Sequence, residues 1–394
     1  MANNNENKIL NVPHLRVPEF SGEWVTKSIN DLAVVIGGGT PDTTVKSYWD
    51  GEIQWFTPSE IGKNKYVDSS LRTITEVGLN NSSAKLLPPN TILLSSRATI
   101  GECSLSLREC ATNQGFQCLV SKKCNVDFLY YLIQTKKKDL IRKSCGSTFL
   151  EISANEVRKI QVSVPSDVEQ QKIAELLSLI DERIATQNKI IEKLQSLIKG
   201  LNNTLQYDTG GKSVCLGDIL LERSERSQTN NQHEVLSSTV KGIFSQREYF
   251  SKDIASENNV GYKIIRLHDV VLSPQNLWMG NINYNDRFEI GIVSPSYKVF
   301  SIADGYDNQF VAAMLKTHRA LYSYMMVSEQ GASIVRRNLN MEAFSQLVFK
   351  IPSLDKQREI GYAISLLKSQ LKTANKIIKA YTSQKQYLLR QMFI

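Results

Sequence analysis

The chain is poor in the residues that metal, redox and membrane functions require. Its six cysteines (Cys103, Cys110, Cys118, Cys124, Cys145 and Cys215) form no CxxC pair and five of them sit in the first half. Neither a zinc module nor a regular disulfide framework is indicated, and free thiols in a reducing compartment are expected. His14, His233, His268 and His318 stand singly, with no second ligand at metal spacing, so no metal site is expected. No stretch approaches the roughly 20 apolar residues that span a bilayer. The opening MANNNENKIL lacks the basic and then apolar segments of a secretory signal, and a cytoplasmic location is expected.

Catalytic motifs are missing too. Gly-Gly-Lys-Ser at 210–213 has Gln206 where a phosphate loop needs its first glycine. Gly-Gly-Gly-Thr-Pro at 37–41 runs into proline instead of opening a helix, which reads as a turn and not a nucleotide cradle. There is no Asn-Pro-Pro-Tyr type tetrapeptide of an amino-methyltransferase and no convincing acidic-acidic-lysine nuclease cluster. Catalysis, and any cofactor it uses, is expected on other chains.

What is present is length, positive charge and repetition. At 394 residues and 41% hydrophobic content the chain can bury two or three cores. Lys and Arg number 47 against 39 Asp and Glu, a net charge of +8 that favours a polyanionic partner without demanding one.

Residues 162–206 recur as residues 349–393. A gap-free shift of 187 carries Pro165 onto Pro352, Gln170 onto Gln357, and Asn188–Ile191 onto Asn375–Ile378. In the first copy Ile173, Leu177, Ile180, Ile184, Ile191, Leu194, Ile198, Leu201 and Leu205 alternate steps of four and three, apart from the slot held by Gln187. This is the seam of a coiled coil. The second copy places Ile360, Ile364, Leu367, Leu371, Ala374, Ile378, Tyr381, Leu388 and Met392 on the same slots, with Lys385 the clear break. Ser166 with Glu169 fits a capping box, and Ser353 or Asp355 suits the second start. Some 40 residues make a rod of roughly 60 Å, and the two seams most simply pair with each other, antiparallel.

Ahead of each helix the correspondence is looser. PPNTILLSSRATIGE (88–102) faces LHDVVLSPQNLWMGN (267–281), aligning Ile92 with Val271, Ser95 with Pro274 and Gly101 with Gly280. Short β-rich runs with turn signals, interrupted by helical patches near 127–143 and 307–326, make each half an α+β domain followed by a rod. The expected division is a tail at 1–20, a domain at 21–165, a helix at 166–206, a domain at 207–352 and a helix at 353–394.

Loops with hydrogen-bonding and basic side chains are the candidates for reading DNA. In the first half these are Ser95, Ser96 and Arg97, then Asn113 and Gln114, then Lys136, Lys137, Lys138, Arg142 and Lys143. The second half offers Lys241 and Arg247, then Gln275, Asn276 and Trp278, then Arg336, Arg337 and Asn338. A solvated helix face competes with phosphate contact for the lysine run, and core packing competes with a DNA wedge for Trp55 and Trp278.

GGGTPDTTVKSYWDGEIQWFTPSEI (37–61) and TILLSSRATIGECSLS with ATNQGF (91–116) resemble target-recognition domains of type I restriction-modification specificity subunits. VVLSPQNLWMGNINYNDRFEIGIVSPSYKVF (270–300) is similar to another subgroup of these domains, and PHLRVPEFSGEW resembles the family's amino termini. The resemblance covers about residues 12–394. It implies two target-recognition domains that read the halves of a split double-stranded DNA site, spaced by two antiparallel helices. It also implies two partner modification subunits, similar to adenine N6-methyltransferases using S-adenosylmethionine, and restriction subunits driven by ATP with Mg2+. The same recognition role in a smaller two-component system of type IIB remains an alternative.

Overall fold

The computed structural model describes residues 10–146, 150–207, 211–249, 258–333 and 336–394. They divide into two compact units, residues up to Lys189 with Lys376–Ile394, and Ile190–Asn375. Both are α+β. No helix among the described residues is long and apolar enough to cross a membrane.

Unit 1 opens with β1 (Val25–Ser28), α1 (Ile29–Leu32) and β2 (Ala33–Gly37). Ser28 turns strand into helix through a reciprocal capping box with Asp31. There follow β3 (Trp49–Phe56), β4 (Tyr66–Val67), β5 (Arg72–Ile74), α2 (Glu76–Asn80), β6 (Ile92–Leu94), β7 (Cys103–Ser106), β8 (Cys110–Thr112) and β9 (Gln117–Ser121). The unit's remaining elements are α3 (Val126–Thr135), α4 (Lys137–Arg142), α5 (Ala154–Lys159), β10 (Gln161–Val164) and the first part of α6 (Asp167–Tyr207). A five-stranded sheet runs β2-β9-β6-β7-β4, and a second runs β5-β3-β8. Phe128 to Ile133 of α3 are all buried, so this helix forms the centre of the core against Ile92, Leu94 and Leu119. Residues 10–24 are not a loose tail: the Leu15 N–H donates to the Gln391 carbonyl (2.8 Å), and Trp24 packs edge-on to Phe393.

Unit 2 contains β11 (Lys212–Cys215), α7 (Leu216–Ile219), β12 (Leu220–Arg223), β13 (Leu236–Thr239), β14 (Gly242–Ser245), α8 (Gln246–Tyr249), β15 (Lys263–Arg266), β16 (Val270–Leu272), β17 (Ile282–Tyr284), β18 (Ile290–Val293) and β19 (Lys298–Ile302). Then come α9 (Asn308–Met314), α10 (His318–Met326), β20 (Ser328–Ser333), β21 (Arg336–Leu339), α11 (Met341–Ser345), β22 (Val348–Ile351) and α12 (Leu354–Gln391). Its main sheet runs β12-β19-β16-β17, the order of β2-β9-β6-β7 in unit 1. The supposed phosphate loop lies partly here, with Lys212 and Ser213 in β11 paired to β22. Gly210 falls outside the described residues.

The shift of 187 reaches beyond the long helices. It carries β1 onto β11, α1 onto α7, the starts of β2, α5 and α6 onto those of β12, α11 and α12, and β10 onto β22. Inside that frame the register slips. Val35 and Ile92 both pair with Leu119, and Glu222 and Val270 both pair with Phe300. Since Glu222 is Val35 shifted by 187, the counterpart of Ile92 is Val270, not Val271 as the aligned sequences suggested. Three consecutive buried residues in each strand leave hydrophobicity without a register signal. Gly101 and Gly280 do correspond, both with positive φ (86° and 92°), so the second turn is one residue longer.

Gln170 and Gln357 perform the same clamp in the two units. Each carboxamide oxygen accepts the backbone N–H of the residue capping the covering helix, Asn125 before α3 and Asp307 before α9, at 3.0 Å. Each side-chain NH2 donates to the proline carbonyl ahead of its own long helix, Pro165 at 3.1 Å and Pro352 at 2.9 Å. The predicted capping box at Ser166 is half formed. Ser166 Oγ accepts the Glu169 N–H, but Arg16 draws the Glu169 carboxylate away with two hydrogen bonds of 2.8 and 2.7 Å.

Along α6, Ile173, Leu177, Ile180 and Leu194 are buried while Ile184, Ile191, Ile198 and Leu201 are half-buried. Along α12, Ile364 and Ala374 are buried, and Ile360, Leu367, Leu371, Ile378 and Leu388 are half-buried. Within unit 1 Asp181 meets Lys385 and Arg183 lies over Tyr381. Rising numbers on one helix against falling numbers on the other make the pairing antiparallel. Leu205's side chain lies outside the described residues.

Candidate nucleic-acid interface

Among the antiparallel strands β2, β9, β6 and β7 of unit 1, the end of β2, the start of β9, the end of β6 and the start of β7 lie at one end of the sheet. The connections that leave this end therefore meet. Gly39 N–H donates to the Thr112 carbonyl (2.8 Å), and Ser96 N–H to the Gly115 carbonyl (2.8 Å). Thr40 Oγ1 donates to Gln114 Oε1 (2.5 Å). The glycines at 38 and 39 are there for close packing: a Cβ on Gly38 would lie 2.1 Å from the Asn113 carbonyl oxygen.

This geometry separates the sequence candidates. Ser95 and Ser96 are fully buried and do not face a ligand. Ser95 Oγ donates to the Arg97 carbonyl (2.8 Å) and shapes the turn, so these two serines are corrected from contact residues to scaffold. Arg97 is about half exposed (43%) and is held by Glu151 at 2.8 Å. Asn113 folds its side chain onto the Gly115 N–H (2.9 Å), while Gln114 is exposed.

The basic run is not a single surface. Lys136 Nζ donates to the Ile394 carbonyl (2.6 Å), and burial pushes its pKa down. Lys137 pairs with Glu102 beside the Gly101 turn. Arg142 pairs with Asp139 (2.7 Å), and Lys143 lies 3.9 Å from Glu156. Lys138 is exposed with no ion pair among the described residues.

In unit 2 the equivalent turn, 273–281, carries Gln275, Asn276 and Trp278. Arg337 N–H donates to the Gln275 carbonyl (3.1 Å), and its guanidinium sits 5.4 Å over the Trp278 ring. The β20–β21 hairpin thereby packs on this turn. Asn276 Oδ1 is buried with no hydrogen-bond partner among the described residues. Lys241, Arg247 and Asn338 are exposed, and Arg336's side chain lies outside the described residues.

Sequence reading missed three residues. Thr40 faces Gln114. Arg72 is exposed and stacks 3.5 Å above Trp49, with no carboxylate partner among the described residues. Its signal was there in part, since cationic and aromatic residues interleave in this segment. Lys316 donates to the Gly280 carbonyl and to Asn283 Oδ1, both at 2.8 Å, tying the 273–281 turn to α9. Trp55 is a packing residue, buried edge-on to Trp49 with its indole N–H on the Gly39 carbonyl.

Burial pushes the thiols of Cys103 and Cys118 up to about 12 and that of Cys110 to about 11, so none is a ready thiolate. No cluster of three His, Cys, Asp or Glu suited to a metal occurs among the described residues.

The two units are both α+β, with repeated frames and differing inner segments, and each leads into a long helix. Residues 21–196 match the model of the family described as type I restriction modification DNA specificity domain. The chain is 40% identical over 279 residues to the type I restriction enzyme MjaIX specificity subunit of Methanocaldococcus jannaschii, covering 64% of each. It is 30% identical over 201 residues to the EcoR124I/EcoR124II specificity subunit of Escherichia coli, covering 49% of this chain and 48% of that one. The chain thus spans between about half and two thirds of the length of these relatives. The S subunit of a type I restriction-modification system from M. genitalium shares the fold, with a TM-score of 0.60 at 16% identity over 97% of this chain and 99% of that one. A chain from a structure on complex assembly and conformational transition of the type I R-M system matches with a TM-score of 0.54 at 13% identity, covering 95% of this chain and 98% of that one.

Proposed function

We propose that this chain is the specificity subunit of a type I restriction-modification complex, reading an asymmetric split DNA target and contributing no catalysis of its own. The observation that carries the reading is the unequal repeat. The frame around each unit holds a 187-residue register, whereas the segments between β2 and α5 and between β12 and α11, equal in overall span, differ in sequence and in where their turns fall. Two scaffolds built alike but carrying different loops suit two different half-sites.

In this reading Arg97, Gln114, Thr40 and Arg72 of unit 1 face base edges or phosphates, as do Lys241, Arg247, Gln275, Arg337 and Asn338 of unit 2. Arg72 is the strongest addition, because a stacked guanidinium keeps its donor fork pre-ordered for guanine O6 and N7 or for phosphate. Partner modification subunits using S-adenosylmethionine, and restriction subunits using ATP and Mg2+, supply the chemistry, in the cytoplasm where these partners reside.

Exchange of residues 38–153 for the matching segment of another specificity subunit tests this. In complex with modification subunits, the exchanged chain changes one half of its methylated motif and keeps the other half. A motif unchanged by the exchange would contradict the proposal.

A further inference from the structure

Unit 2 contains a cavity of about 280 Å3 whose wall includes Gly217, Glu222, Phe300, Glu342, Phe344 and Ser345. Through the repeat this wall becomes Asn30, Val35, Leu119, Asn155, Val157 and Arg158 of unit 1. There the Arg158 side chain lies across the space. One guanidinium nitrogen donates to Asn155 Oδ1 (2.9 Å) and the other to the Val35 carbonyl (3.0 Å).

Two replacements open the cavity in unit 2. Arg158 becomes Ser345, whose hydroxyl bonds back to the Glu342 carbonyl (2.7 Å) and so does not reach across. Asn30 becomes Gly217. A third replacement changes the chemistry: Asn155, which accepts from the guanidinium in unit 1, becomes the carboxylate Glu342. Glu342 is exposed and has no cation partner among the described residues. Glu222, by contrast, is engaged by Lys298 at 2.7 Å and Lys263 at 3.9 Å.

We propose that this cavity is a docking pocket for an arginine side chain of a partner protein, which takes in trans the place that Arg158 fills in cis. Phe300 and Phe344 receive the methylene stem. Glu342 receives the guanidinium in a charge-assisted contact stronger than the amide contact of unit 1. Arginine fits better than lysine because its planar fork reaches a carboxylate and a strand carbonyl together. The inference is independent of the DNA-reading proposal, since none of these residues belongs to the loops assigned to DNA.

The test uses the full chain and N-acetyl-arginine N-methylamide as probe, read by saturation-transfer NMR with the citrulline analogue and methylguanidinium as controls. The blocked arginine gives saturable transfer, and the neutral citrulline analogue binds roughly tenfold more weakly or not at all, as loss of a charged hydrogen bond requires. Glu342→Gln weakens the probe by a similar factor, Ser345→Arg abolishes its binding, and both variants keep wild-type DNA affinity. No transfer with the wild type, undiminished binding in Ser345→Arg, or equal binding of citrulline would overturn the pocket. Methylguanidinium binding as well as the blocked arginine would overturn its assignment to a protein side chain. Should Ser345→Arg fail to fold, Glu342→Gln decides alone, with unchanged probe affinity counting against the proposal.

Discussion

Lys385 Nζ lies 2.6 Å from Asp181 Oδ1, on the slot where the repeat places Ile198 in the other long helix. The break in the hydrophobic seam is therefore one half of an ion pair across the helix pairing of unit 1. Asp181 Oδ2 also accepts the Tyr131 hydroxyl (2.7 Å), and Lys385 sits over the Tyr131 ring. A polar residue in an apolar seam gives up some stability to specify register and partner.

Lys385→Leu leaves Asp181 without its cation. Both side chains are mostly buried (17% and 14% exposed), so the loss falls between the exposed and fully buried limits, at about 2 kcal/mol. Replacing both residues with leucine recovers most of it. Denaturant midpoints in a double-mutant cycle measure this, and additive losses would show that the pair does not couple.

Gln170→Ala and Gln357→Ala each remove the two clamp hydrogen bonds at a buried site, for a loss of about 2 kcal/mol apiece. Gln170 also accepts from Cys124 Sγ and donates to Asp167, so its loss is the larger of the two, and the losses are additive. Thermal unfolding of the single and double variants provides the check.

The lysine run separates into three behaviours. Lys138→Ala lowers DNA affinity uniformly and reduces the salt slope by about 1 if the lysine touches phosphate. Lys136→Ala lowers stability and leaves the salt slope alone, because this lysine holds the Ile394 carbonyl. Arg97→Ala relaxes one base position by about 1–3 kcal/mol. Binding isotherms over several salt concentrations, on the target and on single-base variants, distinguish them.

Burial, with a smaller contribution from Lys368, pushes the Lys316 ammonium down to about 8, while its three carbonyl and amide acceptors oppose the shift. The folded pKa lies below the unfolded value of 10.5, so between pH 8 and 10.5 the unfolded chain binds the extra proton. This residue's contribution to stability rises with pH across that window and is flat below it. The stability difference between wild type and Lys316→Met changes by up to about 3 kcal/mol from pH 8 to 10.5. A difference independent of pH would show that the acceptors hold the ammonium at its ordinary value.

The long helices were legible because a heptad seam and a gap-free repeat are written directly in residue order. Both helical patches, near 127–143 and 307–326, also coincide with α3–α4 and α9–α10. Registers inside the sheets were not legible. The sequences alone align Ile92 one residue away from its structural counterpart, because its strand is buried on both faces and carries no alternation. The site was legible as turns but not as side chains. Whether a serine after a strand points in or out depends on the turn that follows, and Ser95 bonds inward. Arg97 finds Glu151 from 54 residues away, and Lys136 finds the chain's last residue, contacts that no local pattern announces. Glu169 had a good local partner in Ser166, yet the Arg16 guanidinium provides two charged hydrogen bonds and wins.

In the proposed function this chain sets where DNA is methylated. Mapping methylated adenines in DNA from the native host, with the gene intact and deleted, tests it most directly. The expected result is one asymmetric motif in two parts, separated by unread bases, that vanishes on deletion and returns with the gene. A methylation map unaffected by the deletion would contradict it.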